Sequence, residues 1–247
     1  MLYIIGLGLN DEKDLTFNSL EAIKKCKKVY LENYTSNLFF NVQDLENFIN
    51  KKIFLANRNL VEYTEEIVDE AEDNEVAFLV KGDALSATTH TDLYLRAIKR
   101  HVKVKLFHNA SIITAVGDTG LSLYKFGKIA SIPFNNGNVE TPYDVLKENK
   151  DMHTLFLLDL NPENDNYMSI SEALNYLLKV ETKRKEGIIS YDTFVVVCCA
   201  LGSDKEIIKY GKIKDVINFK FDVYPISLII PGKLHFMEED MLNLFKI

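Results

Sequence analysis

Two rhythms of apolar residues alternate along the chain. Residues 2–7 form a short apolar run closed by Gly6 and Gly8, and residues 16–28 then carry Leu20, Ile23 and Cys26 at helical spacing, which predicts a strand followed by a helix. Residues 29–31 predict a second strand, residues 42–49 place Val42, Leu45, Phe48 and Ile49 on one helical face, and residues 76–80 are an uninterrupted β-favouring run. Continuous apolar strands between helices imply a parallel sheet covered on both faces. A helix over 91–100, a strand over 102–107 and a short helix after Asn109 continue the alternation. Further on, residues 155–158 predict a strand, and Ser169 and Glu172 have the capping-box spacing that opens an amphipathic helix. Residues 194–199 and 227–230 read as buried strands, and Met241, Leu242 and Phe245 suggest a closing helix. The clearest loop is 135–138, and no long Gly/Ser-rich or Pro-rich linker occurs.

With 247 residues, 47% hydrophobic and 26% charged, the chain has apolar material for one large or two modest cores. A formal net charge of -7 argues against a nucleic-acid substrate, because gripping a phosphate backbone rests on Lys and Arg. No basic stretch precedes the first apolar run, and Asn10, Asp11 and Glu12 interrupt it before a signal segment is complete. No apolar stretch has the length of a membrane span, so no membrane association is expected. Three cysteines, with Cys198 and Cys199 adjacent in an apolar run, fit a reducing, cytoplasmic setting in which buried Cys acts as a small hydrophobe.

Gly6-Leu7-Gly8 lies between a strand and a helix, and Glu32 ends the next strand. This invites an NAD(P)-dependent oxidoreductase. The third glycine of that fingerprint is missing, and Asp11 stands in its place. A carboxylate at the helix N-terminus would repel a pyrophosphate. The two glycines then serve either a tight turn demanded by packing or a ligand-facing loop.

The loop at 82–92 follows the run 76–80, at the strand end where α/β proteins place ligands. Asp83 could accept hydrogen bonds from a ligand hydroxyl or ammonium, and Ser86, Thr88, Thr89 and Thr91 could pair its polar groups. Alternatively, Thr88, Thr89 and Thr91 only cap the next helix. His90 is expected to be a hydrogen-bonded structural histidine, and with no second ligand at metal spacing beside it no metal is expected. Ser111, just past another strand, is expected as a helix N-cap. No hydrolase or phosphate-loop signature is present, and no catalytic residue can be assigned.

Taken together, residues 1–9, 34–36, 82–92, 108–112, 119–121, 124–127 and 231–235 resemble the diphthine synthase family, which has the tetrapyrrole-methylase-like fold. The likeness covers essentially the whole chain in order, and 87–90 (Ala-Thr-Thr-His) and 108–111 (His-Asn-Ala-Ser) are its most specific parts. The resemblance implies two α/β domains of the tetrapyrrole methylase type, residues 1–109 and 110–247, with S-adenosylmethionine in a cleft between them. It also implies a homodimer. Matched position by position, the family's cofactor contacts fall on Leu9, Asp83, Ser86, Ser111, Ile112, Leu158, Leu201 and Ile226, mostly through backbone. The family usually has proline where Ala84 stands, arginine at Ala200 and histidine at Ile226.

The implied reaction is repeated methylation of the amine of a 3-amino-3-carboxypropyl group carried by one histidine of elongation factor 2. It gives diphthine or, with esterification of the carboxylate, diphthine methyl ester, and leaves S-adenosylhomocysteine. Because the sulfonium brings an activated methyl group, the protein's tasks are alignment and exclusion of water. An acidic chain is complementary to a basic protein partner.

Overall fold

The computed structural model describes residues 1–35 and 40–247. Ser36, the last residue of the 34–36 motif, lies outside the described residues. The chain divides into two compact units, Met1–Ile113 with Asn161–Asn164, and Thr114–Leu160 with Asp165–Ile247.

The first unit runs β1 (Leu2–Gly6), α1 (Phe17–Lys25), β2 (Lys28–Glu32), α2 (Val42–Ile49), β3 (Ile53–Ala56), α3 (Arg58–Tyr63), α4 (Glu66–Asp73), β4 (Val76–Val80), α5 (Thr91–Lys99) and β5 (Val104–Phe107). Its strands form one parallel sheet in the order β3-β2-β4-β1-β5. β1 and β4 are buried at every position, and their side chains alternate between two cores, as strand geometry requires. Leu2, Ile4, Phe78 and Val80 pack with Val61, Val68, Leu93 and Ala97 from α3, α4 and α5. Tyr3, Ile5, Ala77 and Leu79 pack with Ala22 and Ile23 of α1 and Leu45 and Ile49 of α2. Each fully buried Leu or Ile contributes about 1.5–3 kcal/mol, so a one-residue slip that exchanged the two faces would cost both cores.

This division of helices has a consequence for function. β1 and β4 are neighbours, yet β1 is followed by a helix on one face and β4 by a helix on the other. Where adjacent strands send their connections to opposite faces, a crevice opens beyond their carboxyl ends.

A short α6 (Ile112–Ala115) follows, and the chain continues through β6 (Ala130–Ile132), α7 (Thr141–Asn149), β7 (Thr154–Leu158), β8 (Leu160–Asn161), β9 (Asn166–Tyr167), α8 (Ile170–Arg184), β10 (Phe194–Cys199), β11 (Ile207–Lys212), α9 (Ile213–Val216), β12 (Ile226–Ile230) and α10 (Phe236–Asn243). The second unit's main sheet has the order β11-β10-β12-β7-β6. Only β6 and β7 pair in parallel there; the other pairs are antiparallel. β10 and β12 are continuous apolar runs like β1 and β4, so such runs report burial on both faces and not strand direction. The expected capping box is present: Ser169 accepts from the Glu172 N–H at 3.2 Å, and Glu172 accepts from the Ser169 N–H at 2.8 Å. From α8, Ala173, Leu174 and Leu177 join Phe156, Leu158, Val195, Val197 and Leu228 in one core. Phe245 lies past the end of α10, not on it as expected.

Candidate functional site

In the first unit three turns meet at the carboxyl ends of β1, β4 and β5. The β1 and β4 turns are joined directly: the Gly8 N–H donates to Gly82 O at 3.1 Å and the Gly82 N–H to Gly8 O at 2.9 Å. Both glycines have positive φ, 80° and 79°, a region that strains any residue with a Cβ. A Cβ on Gly8 would also lie 2.5 Å from that of Asp14. Packing therefore demands glycine at position 8.

Asp83 fastens the β4 turn to the β5 turn. Its Oδ1 accepts from the Leu85 N–H at 3.1 Å and the Ser86 hydroxyl at 2.9 Å, while Oδ2 accepts from the Asn109 N–H at 3.0 Å and lies 2.9 Å from His108 Nδ1. Burial opposes a charge here, but the donors from Asn109, Leu85, Ser86 and His108 win and hold the carboxyl down at about 2. With its acceptor positions taken by the protein, the carboxylate shapes the site and has little left to offer a ligand. Asn109 completes the assembly by donating from Nδ2 to Gly6 O at 3.1 Å and Asp14 O at 2.9 Å. Ser111 is buried, with its Cα 3.9 Å from where a Cβ on Gly82 would stand. Ile112, half-buried, begins α6.

Leu9 lies on the β1 turn, and both its backbone groups are engaged. Its N–H and that of Asn10 donate to Asp14 Oδ2 at 2.9 and 2.8 Å, and its carbonyl accepts from Lys81 Nζ at 2.5 Å. Lys81 is buried, and burial pushes its ammonium down to about 8 against the opposing pull of Asp14 and Asp11. These contacts correct one detail and decide one alternative. Asp11 accepts from the Lys13 N–H beside it, so Asp14, not Asp11, occupies the amides that a dinucleotide loop would offer to phosphate. Glu32 is likewise consumed, accepting from the N–H groups of Tyr34 and Thr35 at 2.7 and 2.5 Å and from the Thr35 hydroxyl at 2.8 Å. Neither anchor of an NAD(P) site is available.

The threonine-rich loop does not cap α5 through its threonines. His90, not a threonine, stands at the N-cap of α5 and makes no side-chain cap. Thr89 donates to Glu62 at 3.0 Å, and the Thr88 hydroxyl is buried without a hydrogen bond among the described residues. His90 is fully buried and edge-on to Phe78 at 5.1 Å, and, against the expectation of a hydrogen-bonded histidine, neither ring nitrogen completes a hydrogen bond among the described residues. Burial pushes its imidazole down to about 4, which keeps it neutral.

In the second unit, β10 and β7 both run antiparallel to β12. The ends of β7 and β10 and the start of β12 therefore share one edge of the sheet. Leu158 closes β7, Leu201 follows β10, and Ile226 opens β12. All three are buried, and the Ala200 N–H donates to Pro225 O at 2.9 Å to tie the two connections together. Residues distant in sequence thus form an apolar wall.

The tetrapyrrole (corrin/porphyrin) methylase family matches residues 1–217. The chain belongs to that family. As a tetrapyrrole methylase family member it is a methyltransferase. It is 47% identical over 251 residues to a diphthine synthase of Methanocaldococcus jannaschii, covering 98% of each chain. It is 45% identical over 249 residues to one of Methanococcus maripaludis, again covering 98% of each. A solved diphthine synthase superimposes with a TM-score of 0.90 at 34% identity, covering 100% of this chain and 96% of that one.

Within this methylase the motifs at 124–127 and 231–235 converge on a residue that the sequence did not single out. Glu238, buried on α10, accepts from the N–H groups of Ser122 at 3.0 Å and His235 at 2.8 Å and pairs with the Lys125 ammonium. His153 Nδ1 accepts from the Gly232 N–H at 3.0 Å, which leaves the ring proton on Nε2, 3.2 Å from Glu238. Burial works against the Glu238 charge, yet the donors from His235, Lys125 and Ser122 hold the carboxyl well below the usual range. Its spacing from His235, three residues on, is that of a capping box, and that was the signal available. Among the described residues, no group of three or more His, Cys, Asp or Glu could hold a metal ion.

Proposed function

We propose that this methyltransferase uses S-adenosylmethionine to methylate the amine of the 3-amino-3-carboxypropyl-histidine intermediate on elongation factor 2, giving diphthine or its methyl ester in diphthamide biosynthesis. The observation that carries the proposal is similarity to diphthine synthases over 98% of the chain, joined to turns whose amides are closed to a pyrophosphate. We place the enzyme in the cytoplasm as a homodimer, with residues 1–109 and 110–247 as its domains. Its three cysteines are free and buried, in keeping with a reducing compartment.

The donor set suits the cofactor. In the first unit Leu9 and Ile112 offer apolar surface and the backbone at Asp83, Ser86 and Ser111 offers polar partners for hydroxyl and ammonium groups; in the second unit Leu158, Leu201 and Ile226 offer apolar surface of the kind a flat purine or a thioether chain takes. Ile226 and Ala200 replace a histidine and an arginine of the family pattern, so those positions act through shape and backbone. When bound, S-adenosylmethionine supplies a methyl group already activated by its sulfonium. The protein's part is then alignment and exclusion of water. Asp83 and Asn109 hold the turns in register, and Gly8 and Gly82 let their backbones meet. The net charge of -7 suits a basic face on the protein substrate.

Calorimetry with S-adenosylmethionine, S-adenosylhomocysteine and NAD tests the cofactor assignment. Saturable binding of NAD with no response to either sulfur compound overturns it. Transfer of labelled methyl groups to elongation factor 2 bearing the intermediate, followed by mass spectrometry, tests the substrate and counts the groups added.

A further inference from the structure

A cavity of about 380 Å³ in the second unit is walled by Phe219, Lys220, Phe221, Asp222, Tyr224 and Ile226 among its lining residues. Ile226 is the member it shares with the proposed cofactor contacts, so the cavity adjoins that wall. Phe219, Lys220, Phe221, Asp222 and Tyr224 give the cavity a different character beside Ser169, Ile170, Ser171, Ile217 and Asn218. Phe219 and Phe221 lie with ring centroids 4.8 Å apart, and Tyr224 stacks on Tyr167 at 4.8 Å, which makes an aromatic wall. Asp222 and Lys220 bring one charge of each sign, and among the described residues neither makes an ion pair.

Aromatic faces attract cations through their quadrupole and are the usual means of recognising quaternary ammonium groups. A carboxylate beside them strengthens that attraction. A nearby lysine would weaken it unless the ligand itself carries an anion for the lysine to meet. An aromatic wall with one carboxylate and one ammonium therefore selects a ligand bearing a methylated ammonium and a carboxylate on one short segment.

We infer that this cavity binds the zwitterionic amino-carboxyl end of the substrate, with Phe219, Phe221, Tyr224 and Asp222 around the increasingly methylated nitrogen and Lys220 on the carboxylate. The inference rests on the proposed function and deepens it. Methylation removes N–H donors and spreads the positive charge over methyl groups, which suits aromatic contact better than hydrogen bonding. Affinity for the ammonium form rises with each methyl group, so a partly methylated amine is retained and accepts the next methyl group once its N–H proton has passed to solvent.

The test is a chemical-shift titration of the full-length, isotope-labelled chain with Nα-trimethylhistidine and with histidine, which carry the same imidazole and carboxylate and differ in the ammonium. The trimethylated compound is expected to bind on the order of tenfold more tightly, with shifts centred on residues 217–226. Phe219→Leu is expected to abolish that preference, and Lys220→Ala to weaken both compounds equally. Phe219 is 45% exposed and Lys220 is exposed as well, so neither change threatens the core. Equal affinities, indifference to Phe219→Leu, or displacement of the probe by adenosine would each overturn the inference. S-adenosylhomocysteine binding, measured separately, keeps the two failures apart: a chain that binds it but ignores the trimethylated probe loses only the cavity assignment.

Discussion

Replacing Asp83 by Asn tests whether this carboxylate organises the candidate site. The native group is charged, buried and surrounded by four donors, and its carboxyl is held at about 2 against an ordinary 3.8. That difference corresponds to about 2.5 kcal/mol favouring the charged form in the folded chain. Asparagine keeps one acceptor oxygen but turns an NH₂ toward two of the donors, and leaving buried donors unpaired costs ~1–3 kcal/mol each. The expected loss is therefore about 2–6 kcal/mol at pH 7, read by urea unfolding. A folded value below the unfolded one gives stability that is present above about 3.8 and lost as pH falls through about 2. The gap between native chain and variant should accordingly narrow by ~1 kcal/mol between pH 7 and pH 3. A loss below ~0.5 kcal/mol, or a gap that stays constant with pH, would refute the account of Asp83 as the fastening between the β4 and β5 turns. Cofactor affinity should fall in the same variant because Leu85 and Ser86 lose their anchor, and Ser86→Ala, which removes only one of the donors, should cost less on both measures.

Gly8→Ala should cost ~2–4 kcal/mol in thermal unfolding, since it adds a Cβ to a residue at φ 80° against Asp14; a neutral result would mean that the turn relaxes freely. Glu238→Gln should cost ~3–5 kcal/mol by leaving Lys125 and the Ser122 and His235 amides poorly paired around a buried position of α10, and a loss under ~1 kcal/mol would remove Glu238 as the hub of the second unit. His90→Leu should make the chain more tolerant of acid. The folded ring stays neutral down to about 4 while an unfolded histidine takes up a proton near 6.5, so the native chain loses stability as pH falls from 6.5 to 4, by up to ~3 kcal/mol, and the variant does not. Identical acid-unfolding midpoints would contradict this.

What the sequence reveals and what it hides follows from how local each signal is. β1, β4, β10 and β12 stand out because strands buried on both faces are uniformly apolar. β3 does not, because it is an edge strand with Phe54 and Leu55 exposed, and such a strand shows neither alternation nor a continuous apolar run of useful length. α3 has six residues, and the buried Ile67, Val68 and Ala71 of α4 sit among Glu66, Asp69, Glu70, Glu72 and Asp73, so neither announces itself by periodicity. The site divides in the same way. Asp83 is visible as a polar residue at the end of a buried strand, but its partners His108 and Asn109 lie on another strand's turn, and no local pattern links them. Gly6-Leu7-Gly8 with Glu32 imitates a dinucleotide loop because the imitation is local; the contacts that disqualify it, Asp14 on the amides and Glu32 folded onto its own turn, appear only in three dimensions. The residues that emerge from the structure, Asp14, Asn109 and Glu238, are all anchors of backbone, and none forms a nucleophile and base pair. A methyl transfer from an already activated donor places its demand on alignment and not on a reactive side chain. The proposed donor is of this kind, and the chain fits it: no catalytic triad is legible in the sequence, and a network of buried anchors holds the turns in place.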